Sequence, residues 1–132
     1  MELRLNCTGY FATVANGTVG LRTLSTADAT QYTEIGYDFG RQAFYADHSK
    51  CCDTHPNAIV QRAPLPASSL GAILQLSVFV DGGIIEAYLG GLVITPLVAP
   101  DASAGGPEVR QSRAFSEAAG VDCTAESWQL QY

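Results

Sequence analysis

Apolar residues recur at every second position along much of this chain. Leu74, Leu76, Val78 and Val80 alternate with Gln75, Ser77, Phe79 and Asp81, the period of a β-strand with one buried face. Asp81-Gly82-Gly83 follows and supplies the positive φ of a tight hairpin turn. Ile84 to Leu89 reads as the return strand. Gly90-Gly91 makes a second turn, and Leu92 to Val98 a third strand that Pro96 weakens or places at an edge. Residues 74–98 are thus predicted to form a three-stranded meander.

The same period recurs elsewhere. Leu3, Leu5 and Cys7 alternate in one short strand, and Val19, Leu21 and Thr23 in another. Residues 35–39 and 43–47 flank Gly40-Arg41 as a hairpin, and Ser127 to Tyr132 alternates as a closing strand. Residues 48–70 and 99–107, rich in Pro, Gly and polar residues, are predicted as loops, and Ser116 to Gly120 as one helical turn. Many short strands with turn signals between them predict an all-β fold: an antiparallel β-sandwich of the jelly-roll or lectin-like kind, in one domain over residues 1–132.

Composition narrows the function. With a formal charge of −6 the chain is repelled by phosphate backbones, so nucleic acid is not expected as a partner. No apolar run approaches the ~20 residues that span a bilayer, and no basic amphipathic segment suits a membrane surface. The N-terminus shows no basic region followed by an apolar stretch, so no signal peptide is visible. Other features still favour a secreted, extracellular protein. Asn6-Cys7-Thr8 and Asn16-Gly17-Thr18 both fit the N-glycosylation pattern. The cysteines, Cys7, Cys51, Cys52 and Cys123, are even in number and suit disulfides. Four cysteines allow three pairings. A bridge between the adjacent Cys51 and Cys52 forces a strained ring, so sending each to a different partner, Cys7 or Cys123, is sterically easier; buried free thiols are the alternative. His48, Cys51, Cys52 and His55 invite a zinc reading, but adjacent cysteines lack the usual spacing of metal ligands, and no metal or other cofactor is expected.

Three segments point to a family: Tyr32 to Asp38 followed by Phe44 to Lys50, then Leu76 to Tyr88, then Ser127 to Leu130. In this order and spacing they resemble the C-terminal β-sandwich module of glycoside hydrolase family 32, the family of invertases, inulinases and levanases. The resemblance covers nearly the whole chain and implies a β-sandwich. Asp38, Asp47, Asp81 and Glu86 fall where that pattern carries carboxylates. The chain departs from the pattern at His48, where the family usually has Arg, at Gly82-Gly83, and at Cys51-Cys52. The family's catalytic residues lie on a separate N-terminal propeller whose signatures are absent here. The resemblance therefore implies a chain that does not hydrolyse glycosides by itself.

Sugar recognition needs a flat apolar face for the ring and acceptors for its hydroxyls. Tyr37, Tyr45 and Tyr88 with Asp38, Asp47, Asp81 and Glu86 are the candidate ligand-binding residues, while Trp128, on an alternating strand, reads as core. Tyr88 and Glu86 share one strand face with Ile84, either half-buried or a shallow platform. The expected function is a non-catalytic glycan-binding module, for a fructan-like or other sugar. The alternatives are a structural or dimer-building module of a larger hydrolase and a homo-oligomerising scaffold with no sugar site.

Overall fold

A computed structural model of the chain describes residues 1–51, 60–96, 98 and 111–129. In chain order the strands are β1 (Glu2–Thr8), β2 (Thr18–Ser25), β3 (Thr33–Asp38), β4 (Ala43–Asp47), β5 (Val60–Pro64), β6 (Ile73–Asp81), β7 (Ile84–Leu89), β8 (Leu92–Ile94), β9 (Gln111–Ser116) and β10 (Asp122–Trp128). They form two five-stranded sheets: sheet A in the order β10-β1-β6-β7-β8 and sheet B in the order β5-β4-β3-β2-β9. Every ladder in both is antiparallel. The fold is an all-β antiparallel sandwich, as the alternation predicts.

Period-two patterning supplies the core. Leu3, Leu5 and Cys7 of β1 pack beside Leu74, Leu76 and Val78 of β6 and Ile85, Ala87 and Leu89 of β7, all buried. Val19, Leu21, Ile35, Tyr37, Phe44 and Ala46 meet them from sheet B. Removing each such large side chain from water stabilises the fold by about 1.5–3 kcal/mol. The meander forms as predicted, with Asp81 opposite Ile84 and Gly82 turning at φ 58°. Its third strand stops at Ile94 and lies at the sheet edge, two residues before Pro96.

Several expectations need correction. The predicted loop over 48–70 contains β5, an edge strand exposed or half-buried throughout, whose sequence Val-Gln-Arg-Ala-Pro carries no alternation. β9 is likewise unheralded, because it too is an edge strand with little to bury. The predicted helical turn at 116–120 is instead the end of β9 and a tight turn closed by the Val121 amide donating to the Ala118 carbonyl. The closing strand runs over Asp122–Trp128, five residues earlier than its alternation suggests, since its inward positions are the small Cys123, Ala125 and Ser127. Trp128 consequently points outward and is 40% exposed, not core. Residues 99–107 and 130–132 lie outside the described residues.

The cysteine expectation also changes. Cys7 and Cys123 face each other in the β1–β10 ladder and are bonded to one another, with an S–S distance of 2.05 Å. Neither pairs with Cys51 or Cys52. Antiparallel register brings the two chain-distant cysteines together directly, which spacing along the sequence cannot reveal. Cys51 is itself disulfide-bonded, while Cys52 and His55 lie outside the described residues. Asn6 is half-buried on β1, and Asn16 is exposed ahead of β2.

Candidate functional site

The four carboxylates singled out in the sequence do not converge. Asp38 and Asp47 lie on the outer face of sheet B, whereas Asp81 and Glu86 lie on the outer face of sheet A, with the core between them. Two of the predicted residues act differently from expectation. Tyr37 is fully buried, and its hydroxyl donates to the Leu65 carbonyl at 2.6 Å, so its ring serves the core and cannot meet a ligand. Tyr45 faces outward on β4 yet is only 5% exposed, and its hydroxyl donates to Glu34 Oε2 at 2.7 Å.

The reason lies in a glycine pair. Gly20 on β2 stands directly opposite Gly36 on β3, and Gly36 stands opposite Tyr45 on β4. With no side chains over β2 and β3, the phenol settles into the gap they leave. Burial, and then the Glu34 charge, push the Tyr45 hydroxyl far above its ordinary range. Burial, and then Asp38, raise that of Tyr37 to about 12. A phenol favoured in its neutral form stabilises the fold fully below the ordinary value of 10.0, and that contribution is lost as the pH rises through about 12. Tyrosinate absorbance should therefore show a late component that appears together with loss of circular dichroism above pH 10.0. Complete phenol ionisation while the fold persists would contradict this.

Around Tyr45 the outer face of sheet B forms a polar groove. One hollow of about 240 Å3 is lined by Arg22, Tyr32, Glu34, Asp47 and Lys50. A second, of about 140 Å3, adjoins it and is lined by Asp38, Arg41, Asp47 and Arg62 among others, sharing Glu34 with the first. The Arg22 guanidinium sits 4.9 Å from the Tyr32 ring centre and 4.7 Å from that of Phe115. It donates to Glu34 Oε1 at 2.8 Å, a bond that raises its pKa further. Lys50 donates to the Tyr32 hydroxyl at 3.1 Å, which holds its ammonium charged above the ordinary range. Asp38 is tied by the Arg41 amide and guanidinium. The Asp47 carboxylate accepts from the Ser49 amide at 2.9 Å through Oδ1, the only hydrogen bond of that side chain among the described residues. Asp47 and Lys50 thus place an acceptor and a donor in the first hollow, and the exposed Arg41 and Arg62 add donors in the second. His48, the residue in the family's Arg position, does not enter the groove. It is buried, and neither ring nitrogen has a hydrogen-bond partner among the described residues.

The outer face of sheet A is a flatter surface of a different kind. One cross-strand row runs Trp128, Glu2, Phe79, Glu86, and the next runs Glu126, Arg4, Ser77, Tyr88, Val93. Phe79 and Tyr88 meet edge to face at 5.8 Å, and the Arg4 guanidinium lies 5.0 Å from the Trp128 ring centre. Tyr88 donates to Glu86 at 2.9 Å, which raises the Tyr88 pKa. Ile73, Ile84 and Val93 are each more than half exposed here. The face that Glu86 and Tyr88 share is thus a platform, and Asp81 lies at its hairpin end opposite Ile84.

Glu34, Arg22 and Lys50 were not singled out in the sequence. Period two offered a signal for the first two: Glu34 shares a strand face with Asp38, and Arg22 with Thr18. Their convergence depends on the order of strands in sheet B.

Comparison with known proteins agrees with this architecture. Residues 1–129 match the family described as Glycosyl hydrolases family 32 C terminal. The chain is 33% identical over 84 residues to an extracellular exo-inulinase of Aspergillus ficuum, and equally to that of Aspergillus niger. That match covers 61% of this chain but 16% of the relative. Among solved structures, the exo-inulinase of Aspergillus awamori superposes with a TM-score of 0.70 at 24% identity, covering 94% of this chain and 24% of that one. A β-fructofuranosidase of Aspergillus kawachii superposes with a TM-score of 0.72 at 16% identity, covering 94% of this chain and 22% of the other. At such identities the structural likeness concerns the fold. The extent of the family match, together with the two-sheet architecture, shows that this chain belongs to the glycoside hydrolase family 32 C-terminal domain family.

Proposed function

We propose that this chain is a non-catalytic carbohydrate-binding sandwich that takes a sugar in the groove on sheet B. The observation that carries this reading is the convergence of Asp47 and Lys50 on one hollow beside Tyr32 and Glu34. A carboxylate and an ammonium side by side can accept from and donate to neighbouring sugar hydroxyls. The surrounding pairs, Arg22 with Glu34 and Asp38 with Arg41, hold the walls in place. An extracellular setting is supported by the Cys7–Cys123 disulfide and by the extracellular exo-inulinases to which the chain is similar.

Hydrogen bonds to charged groups contribute about 1.5–3 kcal/mol each. Asp47→Ala and Lys50→Ala are each expected to weaken binding of inulin, levan or whichever glycan an array selects by roughly tenfold to a hundredfold. Glu86→Ala, on the opposite face, should leave affinity unchanged. Titration calorimetry with circular dichroism as the folding control checks this. Loss of binding in Glu86→Ala alone would move the site to sheet A, and no glycan binding by a folded chain would remove the reading altogether.

The same reading expects no hydrolysis of sucrose, inulin or levan. Sustained release of fructose by the purified chain, abolished in Glu86→Gln, would overturn it.

A second reading, a packing module within a larger hydrolase, is favoured by the exposed Ile73, Ile84 and Val93 on sheet A.

A further inference from the structure

The four sheet edges of this sandwich are not treated alike. β5 and β8 lie on one side, where Leu65 packs against Gly90. Both are blunted: β5 ends in Pro64, with Pro66 close behind, and β8 has three residues and is followed by Pro96. Proline and short length are the usual protections of a free edge. β9 and β10 lie together on the opposite side, and there neither proline nor short length blunts the edge, although β9 carries a ladder irregularity and both strands carry charged side chains. They have six and seven residues, with neither proline nor lysine in either. Among the described residues, each offers an unpaired row of backbone donors and acceptors.

The layer between them is also underfilled. The inward positions are Ser112 and Ala114 on β9, and Ala125 and Ser127 on β10. These small side chains leave a hollow of about 230 Å3 into which Met1, Leu3 and Leu21 look. Its two lips carry opposite charge, Arg113 on sheet B and Glu126 on sheet A, and both are exposed.

We propose that this side of the sandwich is an interface with a second copy of the chain, in which β10 of one protomer pairs with β9 of its partner. The required symmetry follows from the strand directions. β9 and β10 are consecutive and face each other across the hollow, running in opposite directions. A two-fold axis parallel to the strands keeps their direction but exchanges the layers. It therefore sets β10 beside the partner's β9 in antiparallel fashion, twice over, and joins each sheet A to a sheet B. The charges select this arrangement. It brings Glu126 to Arg113 of the partner at both contacts. The other two-fold, perpendicular to the sheets, would join β10 to β10 and set the acidic Glu126 and Asp122 of one copy against the same acidic strand of the other. The backbone pairing closes both free edges, and the apolar floor of the hollow is covered.

Sedimentation equilibrium on the whole chain tests this through charge reversal. The unaltered protein is expected to be a dimer. Glu126→Lys alone and Arg113→Glu alone should each weaken the dimer by about tenfold or more, because each sets like charges together at both contacts. The double variant, with both changes, should restore it. Circular dichroism verifies folding of each variant; since both side chains are exposed, the core is untouched. A monomer at all concentrations overturns the proposal. So does a dimer indifferent to the single reversals, or one that the double variant fails to restore.

Discussion

Replacing both Cys7 and Cys123 by Ala is expected to destabilise the domain by about 2–5 kcal/mol. The bridge spans 116 residues of sequence, so cutting it frees almost the whole unfolded chain. The native state loses as well. Cys7 is fully buried between β6 and β10, and the bond holds the edge strand β10, most of whose residues are exposed, against the centre of sheet A. A domain of this size is stable by only about 5–15 kcal/mol in total. The corresponding fall in melting temperature is roughly 10–20 °C. Denaturant titration of the double variant beside the oxidised parent measures it. An unchanged midpoint would mean that β10 is held by its ladder alone.

Gly36→Ala is expected to abolish folding outright. A Cβ at Gly36 would run into the Val19 carbonyl oxygen and stand 3.1 Å from the Gly20 Cα. The obstruction is reciprocal, for a Cβ at Gly20 meets the Ile35 carbonyl and lies 2.8 Å from the Gly36 Cα. These are backbone atoms of the paired strand, so no rotamer change relieves the clash. β2 and β3 must move apart, at the middle of sheet B and beneath Tyr45. Gly91→Ala is the contrasting case. Nothing lies within 4 Å of its added carbon, and the cost is confined to the positive φ of 82°, about 1–2 kcal/mol. Soluble expression and circular dichroism compare the two. A folded Gly36→Ala would show that sheet B tolerates local separation of its strands.

How far the sequence carries depends on what each strand buries. β1, β3, β4, β6 and β7 bury one or both faces, so apolar residues had to recur along them, and their pattern names them. β5 and β9 are edges with little to bury, and nothing in Val-Gln-Arg-Ala-Pro or Gln-Ser-Arg-Ala-Phe-Ser distinguishes them from loop. Trp128 misled for the same reason. It lies on an edge strand whose inward positions are Ala and Ser, so its ring is left to the outer face beside Arg4. The carboxylates were legible as polar outward positions on strands, but which face each reaches is set by strand order. Asp38 and Asp47 share a groove because β3 and β4 pair, and Glu86 is denied to it because β7 belongs to the other sheet. Tyr37 and Tyr45 fall on opposite sides of sheet B: Tyr37 points into the core, and Tyr45 lies over the glycine gap.

The position of β1 governs when this protein can fold. Its neighbours are β6, whose pairing begins near residue 73, and β10, whose pairing begins at residue 122. β1 thus precedes both of its partners in the chain and must wait for them, one being the last strand described. Meanwhile β2, β3 and β4 can already pair as a local meander. Sheet B therefore has the means to nucleate first, with sheet A closing over it late, and the disulfide can lock only after that closure. Dominance of such distant pairings is the signature of slow folding, in milliseconds to seconds rather than microseconds. Until β6 and β10 have both been made, β1 has neither of its ladder neighbours in sheet A.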